Sequence, residues 1–387
     1  MKPSNYNPFD RKQVNFDIVI TLLSPLSHIG ESVGNQSNLK TLAITDLEGV
    51  TNDVFVYSGN ALRNGLLRRK GVDYFLSSLD IAVKPEVHQT LFAGGYIDGG
   101  TGCDLELDHK IRQFLPCLSV LGTAKPKGVF GSKDAQMISG RLQVGDAVLV
   151  CYESAEYIYK YFPPAIPVDA IDNLGLVVEA KLNSQNSRIE AWLKNKVRKP
   201  GEDSEYQTLL KEYQPFLEDK LRSYTQWLTY NQKVRMDSLK SPELNKFIEG
   251  SKPPAGQLDL LGTPEKETKE KPKTTQQMIM GDWLIQQGAT LYSRWSANIT
   301  DIEEGFIASA LLKFAESPYL GGKSGTGCGL VQMDIYHEGG HWLHISPSSQ
   351  IVGDRCQENY QSYLNYLDEY KAYIQEQKGD IKGFLGI

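Results

Sequence analysis

The chain has few of the features that mark secreted, membrane-bound or disulfide-stapled proteins. Its 387 residues hold five cysteines and no C-x-x-C pair, and an odd number in so long a chain argues against a disulfide framework. No apolar run approaches the length of a membrane span, and Met1–Asn15 is polar where a signal peptide would be apolar, so a reducing cytoplasm is the expected setting. Excess charge is small: 41 Lys and Arg face 47 Asp and Glu, a net of −6. That balance excludes the whole surface as a non-specific polyanion binder. A local basic groove is still allowed, because charges farther apart than about 8 Å are screened at physiological salt. What is present is ordinary for a globular protein, 40% hydrophobic and 23% charged, in a chain long enough for one elaborated domain or two.

Phe16–Pro25 reads as a first strand, apolar and branched, stopped by Pro25. A Gly-, Ser- and Asn-rich loop over Leu26–Asn38 follows, then a strand pair over Leu39–Thr45 and Asp53–Tyr57. Ser58-Gly59-Asn60 offers capping residues for a helix over Ala61–Leu79, where Leu62, Leu66, Leu67 and Phe75 keep helical spacing. A further helix is expected over Leu105–Val120 and two short strands, joined near Gly145, over Met137–Tyr152. From Leu182 the texture changes. Arg188–Val197 and Tyr206–Phe247 look helical, with Leu209, Leu210, Tyr213, Leu217, Leu221, Tyr224 and Leu228 at three- and four-residue steps. Lys252–Gln277, rich in Pro, Lys, Glu and Thr, reads as a tether that buries too little to order itself. Strand pattern resumes over Trp283–Trp295, a helix over Glu303–Phe314, strands over Leu330–His337 and His341–Ile345, and a tyrosine-striped helix over Gln357–Gln377. The expected organisation is an α+β core in two parts, 1–181 and 278–350, interrupted by a helical insertion with its tether over 182–277 and closed by a C-terminal helix over 351–387.

Three motifs carry chemistry. His337-Glu338-Gly339-Gly340-His341 fits the zinc-protease spelling H-E-x-x-H, which works only on a helix. Two adjacent glycines and alternating flanks make Glu338–Gly340 a hairpin turn instead. Gly322-Lys323-Ser324 resembles the end of a P-loop, but Ser317 stands where the leading glycine belongs and the segment follows a helix. The glycine run Gly321–Gly329 nevertheless lets backbone N–H groups approach a phosphate, with Lys323 adding charge. Arg63, Arg68, Arg69 and Lys70 lie in the helix that opens at Ser58, where arginine forks and a helix N-terminus both suit phosphate, although a solvated face is the usual fate of such a run.

Together these segments resemble the RAMP superfamily of CRISPR effector proteins, specifically the backbone subunits that polymerise along the guide RNA (crRNA). Leu22–Glu31 (LLSPLSHIGE) after the first strand, Tyr57–Arg69 (YSGNALRNGLLRR) at a helix start and Tyr319–Val331 (YLGGKSGTGCGLV) as the late glycine-rich loop carry the likeness, in the family's order. It extends over most of Phe16–Glu179 and Met278–Ile345 and leaves the insertion aside. The length and the insertion point to a type III effector of the variant D kind, with type IV as the alternative.

The resemblance implies a modified RRM-like, ferredoxin-like fold whose groove holds RNA by its backbone. That is the chemistry a subunit tolerant of any guide sequence requires. Carried over by position, Ser27, His28 and Gly30 border the RNA path, Ser58, Gly59, Asn60 and Arg63 hold phosphate at the helix start, and Lys323, Gly325 and Gly327 line the opposite side. The implied partners are crRNA, target RNA and the other RAMP and large subunits of an effector complex, with no membrane. Type III members cut target RNA with an aspartate in the loop after the first motif. Here Gly30–Leu42 has no aspartate, and Asp46 is the best substitute, as a ligand for Mg2+ or a base toward the ribose 2′-hydroxyl. The alternative reading is therefore an endoribonuclease that cleaves target RNA within the complex, or one that processes precursor crRNA with His28 as its histidine.

Overall fold

The computed structural model describes residues 7, 10–45, 50–95, 104–131, 133–159, 221–235, 278–347, 350–352 and 357–387. Asp46, the helix expected over Arg188–Val197, the tether expected over Lys252–Gln277 and most of Tyr206–Phe247 lie outside the described residues.

The chain is a mixed α+β structure. Its first strand, β1 (Lys12–Leu22), is buried along most of its length. A hairpin of β2 (Ile29–Val33) and β3 (Gln36–Leu39) follows, then a second of β4 (Thr41–Thr45) and β5 (Thr51–Tyr57). β6 (Thr123–Lys125), β7 (Gln136–Ile138), β8 (Leu142–Val144) and β9 (Ala147–Leu149) are short. Longer strands return with β10 (Leu228–Arg235), β11 (Met278–Ile285), β12 (Thr290–Ile299), β13 (Val331–His337) and β14 (Gly340–Ser346), before the short β15 (Gln350–Val352). The main sheet runs β15-β14-β13-β1-β12-β9-β5-β4, with β8 also on β12, and its pairs are antiparallel. A smaller sheet runs β10-β11-β3-β2, and β6 pairs β7.

A continuous helix, α1, passes through Gly59–Ala61, a π-helical stretch Leu62–Arg68, and Arg69–Leu79. α2 (Pro85–Ala93), α3 (Leu105–Phe114), α4 (Pro116–Leu121) and α5 (Ala155–Tyr159) precede the central α6 (Asp301–Ala315), and α7 (Gln357–Glu376) and α8 (Lys378–Leu385) end the chain. α6 begins with a capping box, Thr300 accepting from the Glu303 amide and Glu303 accepting from the Thr300 amide. It packs against both α1 and α7. Beneath this helical layer lie Phe16, Ile18 and Ile20 of β1 with Trp295, Met333, Ile335, Leu343 and Ile345, all buried. α7 delivers its stripe as expected, burying Tyr363, Leu367, Tyr370 and Ile374.

Five expectations need correction. The strand expected over Trp283–Trp295 is the end of β11 and the start of β12, separated at residues 286–289. Leu26–Asn38 is not a loop throughout: Gly34, at φ 58°, turns β2 into β3. The helix expected over Leu105–Val120 breaks at Leu115, because Pro116 cannot donate its backbone nitrogen and starts α4. Leu228–Arg235, expected as helix, is β10 and pairs with β11 from Leu228↔Ile285 to Arg235↔Met278. Met137–Tyr152 holds parts of three strands, with Gly145 between β8 and β9. Elsewhere α1, α6, β4, β5, β13 and β14 stand within a few residues of their expected places.

Candidate nucleic-acid interface

The site starts from a steric requirement. The turn after β1 must pass close to the glycine run before β13, since both strands lie side by side in the sheet. Gly329 donates its N–H to the Pro25 carbonyl at 2.8 Å, and Leu330 donates to the Ser24 hydroxyl at 2.8 Å. Gly321, at φ 82°, sits so close to the Ser27 carbonyl that a Cβ there would come within 2.6 Å of it. Only glycine fits such a position. Its N–H goes to the hydroxyl of Tyr57 at 3.0 Å.

Tyr57 ends β5 and leads into α1, so that bond ties the late glycine run to the start of the helix. Burial holds the Tyr57 phenol above its ordinary pKa, opposed in part by the Gly321 N–H, so the hydroxyl stays protonated. His28 lies against it, ring centroids 4.4 Å apart. The His28 Nε2 accepts the Ser58 N–H at 3.2 Å, which requires a ring unprotonated at that nitrogen. Burial first, and the Lys40 charge second, push the His28 pKa down, with Asp146 opposing. Lys40 binds the His28 carbonyl through its own N–H at 2.9 Å and accepts from Val56 at 3.1 Å, which fastens the 28–30 turn to β5.

Of the residues expected from sequence, Ser27, His28 and Ser58 meet at this junction, and the others lie around it on different terms. Ser27 is buried beneath Gly321. Gly30 is pressed on the Lys40 backbone, where a Cβ would stand 2.7 Å from Cα. Ser58 is buried, and Gly59 donates to Asp146 Oδ1 at 2.7 Å while lying too close to the Val144 carbonyl for any side chain. Asn60 is exposed. Arg63 is half-buried and donates to the Leu121 carbonyl; burial lowers its pKa. Arg68 is not on a solvated face: it is buried and donates to the carbonyls of Leu91 at 3.3 Å, Leu121 at 3.1 Å and Gly122 at 2.8 Å. Burial drops its pKa to about 10. It thereby satisfies carbonyls at or near the C-terminal ends of α2 and α4, where helices favour a cation.

Lys323 pairs with Asp282 of β11 at 2.5 Å. Gly322, Gly325 and Gly327 have open space where a side chain would be, with Gly327 at φ 78°. The junction thus has a closed floor, made by Ser27, Tyr57, Ser58 and Gly321, and an open glycine rim. Sequence reading gave no role to Tyr57 or Asp146, which fix the geometry; Tyr57 opens the Tyr57–Arg69 motif and Asp146 follows Gly145, and only the folded contact reveals the part each plays.

The H-E-x-x-H spelling is a hairpin. His337 pairs with Gly340, and Glu338 and Gly339 form the turn at φ 48° and 80°. His337 faces the helical layer and contacts the buried Glu304 at 3.2 Å, whereas His341 contacts Asp334 at 3.1 Å. No helix among the described residues is long and apolar enough to cross a membrane.

No family model and no curated sequence matches the chain. Among solved structures, the chain is similar to one from a Type IV-B CRISPR complex, at 13% identity over 83% of this chain and 90% of that one, with a TM-score of 0.39. It is also similar to Csc2 of Thermofilum pendens, at 10% identity over 100% of this chain and 94% of that one, with a TM-score of 0.36.

Proposed function

We propose that the chain is a guide-RNA-binding backbone subunit of a multi-subunit CRISPR effector complex, holding the ribose–phosphate chain of crRNA, and its duplex with target RNA, without reading bases. The observation that carries this reading is the meeting of the three family-like segments at one place. The 24–28 turn, the start of α1 and the 321–329 run are joined through the Pro25, Ser27, His28, Tyr57 and Ser58 contacts. The order β13-β1-β12-β9, with α1 after β1 and α6 between β12 and β13, supports the ferredoxin-like core that the family resemblance implies.

In this reading the open rim at Gly322, Gly325 and Gly327 admits a phosphate close to backbone N–H groups. Lys323 exchanges Asp282 for the phosphate, and Asn60 offers its amide from the opposite side. The amides of Ser58 and Gly59, already held by His28 and Asp146, keep the helix start rigid. Such a site is sequence-tolerant because every nucleotide carries the same phosphate. Asp46 stays a proposal for intrinsic cleavage, as do Mg2+ as its ion and the type III and type IV assignments.

The test is RNA retention by the co-expressed complex. Lys323→Gln should weaken it and reduce the slope of log affinity against log salt by about one, the loss of a single phosphate contact. Retention and salt slope identical to wild type would overturn the groove.

A further inference from the structure

The β13–β14 hairpin carries a second cluster, away from the glycine rim. On a regular strand His341 and His344, three apart, point to opposite faces. Here the register shifts: Ile335 opposes Leu343, but Tyr336 opposes His341, so Trp342 is the extra residue of a β-bulge. Trp342 and Leu343 are both buried in consequence. His341 is carried round to the face of Asp334 and His344, the side of the sheet away from the helices. Its Nε2 lies 3.1 Å from Asp334 Oδ1, and His344 Nδ1 lies 2.7 Å from the same oxygen.

We propose that Asp334, His341 and His344 form a binding site for a divalent transition-metal ion, zinc foremost. Their three donor atoms all lie within 4.8 Å of one another. Tetrahedral zinc with ligands at about 2.0–2.1 Å sets its donors roughly 3.3 Å apart. Two of the three separations already stand near that value, so an ion at the centre asks for little movement. Two imidazoles and one carboxylate suit zinc and its first-row neighbours over magnesium or calcium, which prefer all-oxygen sites.

Side-chain exposures of 21%, 12% and 24% for Asp334, His341 and His344 let an ion enter and leave its remaining positions to water. Tyr336, edge-on to His341 with centroids 5.1 Å apart, limits how that ring can turn. The bulge is what builds the site, and β-bulges recur where a strand must re-aim a side chain.

The experiment uses the full chain, stripped with a chelator, incubated with zinc chloride and passed through a desalting column before elemental analysis. Wild type should retain one equivalent of zinc more than His341→Ala/His344→Ala. Asp334→Asn, which keeps the shape and the hydrogen-bonding capacity, should bind zinc at least tenfold more weakly in a calorimetric titration while melting with the same cooperativity. Cobalt(II) in place of zinc should give wild type a visible absorption band that both variants lack. Equal zinc in wild type and the double variant, or an Asp334→Asn affinity equal to wild type, would overturn the site. None of these measurements depends on RNA.

Discussion

At His28, protonation and the native contact exclude one another. Nε2 is an acceptor for the Ser58 amide at 3.2 Å, and a proton on that nitrogen would turn an acceptor toward a donor. The folded-state pKa is lowered by burial and by Lys40, so the unfolded chain binds the proton more readily. Stability from this group is therefore complete above about 6.5, the unfolded value. It is lost as the pH falls through the lower folded pKa, at up to about 1.4 kcal/mol per pH unit. His28→Gln, which presents an amide oxygen in place of Nε2 and does not titrate, should unfold in urea with a midpoint that falls less than wild type's between pH 6.5 and 5. Parallel midpoints across that range would show that His28 takes its proton without cost.

The glycines of the late run divide by the same residue-level physics. Gly321 has a positive φ and the Ser27 carbonyl against it, so Gly321→Ala should cost about 1–3 kcal/mol and loosen the 24–28 turn. Gly325 has open space, so Gly325→Ala should change stability by less than about 0.5 kcal/mol. If the groove is real, the same substitution should lower RNA retention. Thermal melts of both variants check the first contrast, and equal melting temperatures would mean that the run does not dock on the turn.

At the scale of elements, what could be read in advance was whatever buries apolar surface. β13, β14 and the α7 stripe show their period because one side of each meets the core, whereas β1 and α6, buried on nearly every side, show as apolar runs. β2 is exposed at every position, so no alternation announces it, and only Gly34-Asn35, a short turn signal, marks the hairpin. β10 follows a segment of leucines at helical steps that run up to Leu228, and the helical period masked the strand. The π-helical stretch of α1 is equally silent in sequence. Its i→i+5 bonding, seen where Arg69 N–H meets Asn64 O, brings residues five apart toward one side. That is how Arg63 and Arg68 both reach the Leu121 carbonyl. The candidate groove was legible because motifs name its segments; the His341–His344 pairing was not, because a bulge is a tertiary compromise that no local pattern records.

At the scale of the molecule, the order of strands decides which parts can fold alone. β1 belongs to the first part of the chain, yet both its neighbours, β12 and β13, come from the last part. β12 also stands between β1 and the β9-β5-β4 group, so the first part cannot join its own strands without it. α1 packs on α6, and β3 pairs with β11, across the same divide. A chain cut between 235 and 278 would thus leave β1 with two unpaired edges and α6 with bare apolar faces, which aggregate in isolation. We expect fragments 1–235 and 278–387 to be insoluble or without near-ultraviolet circular dichroism when made separately. Co-expressed, they should purify as a one-to-one complex that melts in a single transition, because the contacts that close the sheet need no covalent link between the halves. A 1–235 fragment that folds cooperatively by itself would show that β12 is not the bridge, and would divide the molecule into units that the sheet order forbids.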